Sequence, residues 1–380
     1  MSVRDEYNER YAFVVEWFDH TAGLVRKYQL LYYPKDSSIE MFDIKNRRTF
    51  LKKCEYPSIS QKDIYVGATL SIYSRQLQVI EYGDEFTKNT LSPKQEKTLA
   101  VIKPDSYAQL GKILDAIVAS GLTLGEARMM KLTGDQVEDF YEEMRGNTNF
   151  GRNVSFMSSD AITVMSLIGE NAVARWNELC GPEDPDQARN GAPQSLRAAF
   201  GSDLVQNAVH SSRDIASAER ELDFFFGEGA KKFAQTAVMD NCTLCVVKPH
   251  AMAQGLAGKI VDDILARGFE ISAVQLFRED RANIEEFLEI YKEVVPEYND
   301  MVAQLLEGAM LVMEIRAEDA VAAFREFVGP ADPAIGRVLR PHTLRAKYGH
   351  DKIRNALHCT DLPEDGGLEV EYFFRVLQQK

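Results

Sequence analysis

A chain of 380 residues with 45% hydrophobic and 27% charged side chains has room for two or three domains, each with its own core. It has no apolar run near the roughly 18 residues that a bilayer span needs, and its charged start lacks the apolar centre of a secretory signal, so a cytosolic protein without membrane segments is expected. The net charge of −14 lies entirely beyond residue 92, since 13 basic and 13 acidic side chains cancel before it, and such an acidic body disfavours nucleic-acid backbones.

The first 92 residues read as closely spaced β-rich runs at 11–17, 25–33, 38–44, 64–73 and 76–82, with turn clusters at 34–38 and 43–47. That pattern predicts a small barrel or sandwich. This segment has no paired carboxylates, histidine cluster or glycine-rich loop, and its aromatic side chains read as core.

Beyond it the chain alternates strand and helix twice. The first pass predicts a strand at 98–102, a helix at 109–120, a strand at 122–132, helices from Asp135, a strand at 161–168, a helix at 172–180, a loop at 181–193 and a closing helix at 216–225. The second predicts strands at 243–247, 269–277 and 310–315 and helices at 257–267, from Ile284 and at 318–327. Each pass is a β-α-β-β-α-β unit with a split antiparallel sheet. The expected boundaries are 1–92, 93–228 and 240–378, joined after the second by a linker at 227–241. Five scattered cysteines make no disulfide framework. Cys242 and Cys245 resemble half a zinc site, but on a strand they point to opposite faces and read as packing.

The two passes carry one site in one order. Thr98-Leu-Ala-Val-Ile-Lys103-Pro104-Asp105 precedes Ser195-Leu-Arg197 and Asn207-Ala-Val-His210, then Glu221; Thr243-Leu-Cys-Val-Val-Lys248-Pro249-His250 precedes Thr343-Leu-Arg345 and Asn355-Ala-Leu-His358, then Glu369. Arginine to histidine is 13 residues and histidine to glutamate 11 in both. A histidine ring nitrogen attacks a phosphoryl group when the other nitrogen keeps its proton and is held, and a carboxylate can hold it. Lysine and arginine neutralise phosphoryl oxygens, and asparagine can bond a sugar or phosphate. Neither pass has a Walker-type glycine loop.

On these motifs both passes resemble nucleoside diphosphate kinase domains, and the resemblance implies the ferredoxin-like fold, γ-phosphate transfer through a phosphohistidine, and Mg²⁺ carried by ATP or another nucleoside triphosphate rather than by a protein metal site. It places Lys103, Tyr141, Arg197, Asn207, His210 and Glu221 on family site positions in the first domain, and Lys248, Tyr291, Arg325, Arg345, Asn355, His358 and Glu369 in the second. The front segment resembles the DM-ten module of ciliary proteins, and the domain order is similar to that of the nucleoside diphosphate kinase homologue 7 family.

The departures from the family pattern bear on activity. In the first domain Asn177 stands where the family has an arginine, Glu183 replaces a phosphate-contacting threonine, 147–150 replaces the base-stacking stretch, and Ser211-Ser-Arg213 replaces Gly-Ser-Asp. The second keeps Arg325 but has Ala331 for that threonine, Glu297-Tyr298-Asn299-Asp300 for the stacking stretch and His250 for the aspartate. These losses favour structural use of the domains, and the resemblance implies where: a component of motile-cilium axonemes inside doublet microtubules, located in cytoplasm, cytoskeleton and cilium or flagellum, with tubulin and other lumenal proteins as partners. The other reading is an active kinase running mainly on the second domain.

Overall fold

Alternation of apolar and polar side chains builds the amino-terminal third into β1 (Tyr11–Asp19), β2 (Leu24–Tyr33), β3 (Ser38–Asp43), β4 (Arg48–Glu55), β5 (Thr69–Ile72) and β6 (Arg75–Tyr82) in a computed structural model that describes residues 10–19, 22–91, 96–227 and 233–378. The strands form one antiparallel sheet ordered β4-β3-β2-β1-β6-β5. Tyr11, Phe13 and Val15 of β1 meet Tyr28, Leu30 and Tyr32 of β2 and Leu77 and Val79 of β6 on the buried face. α1 (Glu85–Leu91) adds Leu91 to that core, and its Thr87 hydroxyl accepts a hydrogen bond from the Ala12 amide at 2.8 Å. β4 and β5 are the two edges, so the sheet is an open half-barrel.

Two sequence expectations change here. β4 gave no signal because it is an edge strand with no buried side chain, hence no alternation to read. The run 64–73 is a strand only from Thr69, because Gly67, at φ +93°, turns the chain just before it.

The first repeat contains β7 (Glu96–Ile102), α2 (Leu110–Ala119), β8 (Thr123–Lys131), α3 (Gly134–Phe140), α4 (Phe150–Met157), β9 (Ile162–Gly169), α5 (Ala172–Cys180), α6 (Pro185–Gly191), α7 (Leu196–Phe200), β10 (Val209–Ser211) and α8 (Ile215–Phe226). A short β11 (Ala234–Gln235) follows. The second repeat adds β12 (Cys242–Val247), α9 (Pro249–Ala253), α10 (Ala257–Ala266), β13 (Glu270–Phe277), α11 (Arg281–Phe287), α12 (Tyr298–Leu305), β14 (Met310–Arg316), α13 (Ala320–Val328), α14 (Pro333–Leu339), α15 (Leu344–Tyr348), β15 (Leu357–Cys359) and α16 (Gly366–Glu371). The expected loop at 181–193 contains α6, which a proline at the first turn and the Asp184 side chain on the Asp186 amide start. It buries only Pro185 and Ala188, too little to print a helical period.

Packing divides the chain into two compact units. One holds residues up to Gln95 together with Arg278–Gly308, and the other holds Glu96–Phe277 with Ala309–Lys380. Inside the first unit the Gln76 amide donates to the Glu279 carbonyl at 2.6 Å and the Arg281 guanidinium to Ser74 Oγ at 2.7 Å.

Inside the second unit both repeats share one nine-stranded sheet, ordered β10-β7-β9-β8-β13-β14-β12-β15, with β11 paired to β8. The repeats join where Arg128 of β8 faces Gln275 of β13. On one face α2 and α10 cross at two glycines: a Cβ on Gly111 would come within 2.3 Å of the Asp262 amide, and one on Gly258 within 2.4 Å of that of Asp115. The expected linker lies partly outside the described residues, at 228–232. Its second half is docked, since Phe233 is buried and the buried Glu314 carboxylate accepts the Val238 and Met239 amides at 2.7 and 2.6 Å.

Candidate phosphotransfer sites

Each histidine sits on a three-residue strand that pairs with the strand leading into the lysine. His210 faces Val101 on β7, and His358 faces Val246 on β12, two residues before the lysine in each case. The lysine amide donates to the carbonyl of Ala208 or Ala356 at 2.9 Å in both copies. Those alanines hold φ +70° and +74°, a left-handed conformation that costs a residue with a Cβ about 1–3 kcal/mol. The same strained turn in both copies sets the histidine onto its strand.

The glutamate follows from the same geometry. His210 Nε2 lies 2.9 Å from Glu221 Oε2, and His358 Nε2 lies 2.8 Å from Glu369 Oε2. A carboxylate at Nε2 selects the Nε2–H tautomer and leaves the Nδ1 lone pair for chemistry. A hydroxyl completes each pair: Ser212 donates to Glu221 at 2.8 Å and Thr360 to Glu369 at 2.9 Å. Burial by itself would raise the Glu221 carboxyl, but the His210 and Ser212 hydrogen bonds with the His210 and Arg220 charges hold it below its usual value. Neither hydroxyl was assigned from sequence, although a Ser or Thr two residues after each histidine was there to be read in both repeats.

The basic residues converge on the same turns. Lys103 and Lys248 are both buried and donate to the Val205 and Ile353 carbonyls at 3.1 and 3.0 Å. Desolvation, then the neighbouring arginine, brings Lys103 down to about 8 and Lys248 to about 7. Asp105, Glu183 and Asp203 hold Lys103 higher; the second copy offers Asp351 and Cys359 instead. Arg197 donates to the Gly181 and Val209 carbonyls at 2.6 and 3.2 Å, and Arg345 to Gly329 and Leu357 at 3.1 and 3.2 Å. Asn207 and Asn355 donate to the carbonyls of Glu183 and Ala331 at 2.9 and 3.1 Å, while their side-chain oxygens stay buried without a partner among the described residues. A buried acceptor left so is a candidate for a ligand hydroxyl.

The departures take structural form as well. Asn177 bonds the Ser212 carbonyl at 2.8 Å and accepts from Ser211 Oγ at 2.7 Å, locking the chain beside His210. At the matching place Arg325 donates to the Asp361 carbonyl at 2.5 Å and pairs with its carboxylate at 3.3 Å. The replacement of aspartate by His250 preserves one function: Asp105 accepts the Ala208 amide at 3.0 Å, and His250 Nε2 accepts the Ala356 amide at 3.2 Å. To do so His250 must be unprotonated at Nε2, and burial with the Lys248 charge brings it down to about 4.

Tyr141 caps α3 and lies edge-on to His210 with ring centroids 5.9 Å apart; Phe140 does the same at 5.1 Å. Tyr291 ends a turn three residues beyond the cap of α11, where Leu288 takes the place of Tyr141, and it belongs to the first compact unit. Trp176 donates to the His210 carbonyl at 3.2 Å, a contact its counterpart Phe324 cannot make. Cys245 is buried in the main core, and the Cys242 thiol is pushed up to about 12 by burial and by Glu314.

These geometries agree with the comparisons to known proteins. A model described as nucleoside diphosphate kinase matches residues 96–230 and 241–378, and one described as the nucleoside diphosphate kinase 7 N-terminal PH domain matches 5–93, the segment expected to be a DM-ten module. The chain is 47% identical over 371 residues to nucleoside diphosphate kinase homolog 7 of Rattus norvegicus and to that of Mus musculus, covering 97% of this chain and 94% of each relative. It is 34% identical over 286 residues to a thioredoxin domain-containing protein 3 homolog of Heliocidaris crassispina, covering 74% of this chain and 32% of that one. Two repeats with the same histidine–glutamate pair, behind an amino-terminal module that the family shares, place the chain in the nucleoside diphosphate kinase homolog 7 family.

Proposed function

We propose that the protein keeps phosphohistidine chemistry in its second domain and serves mainly as a structural component of motile-cilium axonemes. The observation that carries the first part is the His358–Glu369–Thr360 arrangement with Arg325 beside it. Nδ1 of His358 attacks the γ-phosphorus of a nucleoside triphosphate; the N–P bond forms, the bond to the bridging oxygen breaks, and the diphosphate leaves. A second nucleoside diphosphate then attacks the phosphorus and frees the histidine. Glu369 keeps the Nε2 proton and steadies the charge on the ring, while Lys248, Arg345 and Arg325 offset charge on the transferring oxygens. Among the described residues no cluster of His, Cys, Asp and Glu is built to hold a metal. Mg²⁺ would arrive on the nucleotide and neutralise phosphate charge there.

The first domain has an intact histidine pair but lacks the arginine and carries Glu183 near Lys103. With labelled ATP and Mg²⁺, acid-labile label should depend on His358 far more than on His210. Equal loss in His358→Ala and His210→Ala would refute that ranking, and an unlabelled wild type would leave no chemistry.

The structural part rests on resemblance and on the fused design. Loss of phosphate and base contacts in both copies is expected where selection acts on surfaces, and one sheet running through both repeats suits a rigid building block. Tubulin and other lumenal proteins of the doublet are the proposed partners. An acidic body avoids the acidic tails of the outer microtubule surface, which the lumen lacks. The protein should resist detergent and moderate salt in isolated cilia and leave only when doublets are disrupted. Release with the soluble matrix would favour a free kinase.

A further inference from the structure

One surface separates the second repeat from the first although both have the same backbone. α6 and α14 each begin at a proline behind an aspartate cap, run seven residues, and bury the proline and the residue three further on, Ala188 or Gly336. The outward positions differ. α6 presents Gln187, Asn190 and Gly191, all exposed, whereas α14 presents Ile335, Val338 and Leu339, which are 50, 80 and 70% exposed. Since α6 folds with polar residues at these places, the fold does not require the apolar ones. Three adjacent exposed aliphatic side chains on two turns of helix are the mark of a contact surface.

Charge divides the same way. Residues 333–354 hold six Lys and Arg and one acidic residue, Asp351, in a chain of net charge −14; residues 185–206 hold two of each sign. Arg337, Arg340 and His342 are exposed on α14 and in the turn after it. The Arg337 guanidinium bonds the Gly349 carbonyl and has no carboxylate partner among the described residues, while Lys347 pairs with Asp263 at 3.0 Å.

We infer that α14 and the turn through His342 form a docking surface for an acidic protein segment bearing aliphatic or aromatic anchors. The anchors would cover Ile335, Val338 and Leu339, and the carboxylates would meet Arg337 and Arg340. An extended anionic surface such as a membrane or a nucleic acid would also face the acidic body, and a second copy would bring that same charge; a segment touches only the patch.

The test uses the full chain and the triple variant Ile335→Gln/Val338→Asn/Leu339→Gly, which borrows the residues with which α6 already folds. A displayed random-peptide library is selected on the wild type, and the best peptide is titrated by fluorescence polarisation. Selected peptides should combine Asp or Glu with Leu, Ile or Phe, and binding should weaken about tenfold or more in the triple variant and in Arg340→Glu, and also with added salt. Peptides no more acidic than the library, or equal binding by the variants, would overturn the proposal. So would sedimentation showing a wild-type dimer that the triple variant abolishes, or binding to phosphatidylserine vesicles that needs the same three residues.

Discussion

The two histidine sites share their framework and differ in what surrounds it. In both, a strained alanine, a strand pair two residues from the lysine, and a glutamate under a hydroxyl give nearly the same distances. Those parts are bound up with the backbone, and losing them would cost the fold. Asn177 against Arg325 and Glu183 against Ala331 lie on a helix surface and a turn, where the fold tolerates exchange. Phosphate recognition is therefore the part free to erode, and the first site has lost more of it. His250 shows the limit of that freedom, because it replaces an aspartate yet still accepts the alanine amide that the turn needs.

The comparison is broken most directly at Arg325. Arg325→Ala should lower phosphorylation of His358 by about 10²–10³-fold, the usual cost of one charge-stabilising donor, and Asn177→Arg with Glu183→Ala should raise labelling of His210. If Arg325→Ala labels as well as wild type, the difference between the two sites lies elsewhere. A smaller effect is expected at the carboxylates. Glu369→Gln should reduce His358 labelling by about 10–100-fold, as for other carboxylates that orient a histidine. Glu221→Gln and Glu369→Gln should each destabilise the fold by about 1.5–3 kcal/mol through weakened charge-assisted hydrogen bonds. Unequal thermal losses would show that the two frameworks are not equivalent.

The smallest effect concerns pH. Both buried lysines titrate below their ordinary 10.5, Lys248 at about 7 and Lys103 at about 8. Between the folded and unfolded values the unfolded chain binds the extra proton, so stability rises with pH across that window. The cost of burying the ammonium is full below about 7 for Lys248 and below about 8 for Lys103, and fades toward 10.5 in each. Lys248→Met should therefore gain more stability than Lys103→Met at pH 6.5, by roughly 1 kcal/mol, the order of one pH unit. The two gains should converge above pH 8, as urea unfolding at the two pH values would read. A constant gap would mean that the lysines share one environment.

The sequence by itself determined the duplication, the two histidine–glutamate pairs and the order of the ferredoxin-like elements. It could do so because each copy is a control for the other: two spacings of 13 and 11 residues recur only if one geometry uses them. Tertiary structure alone decided where the lysines, arginines and asparagines place their hydrogen bonds, since backbone carbonyls accept from any donor and leave no trace in residue type. It also decided that β8 and β13 join the repeats in one sheet, that α2 and α10 cross at two glycines, and that Arg278–Gly308 packs with the amino-terminal unit. Those are contacts between segments far apart in the chain, and local periodicity reports only which face of a segment is buried, not which partner buries it.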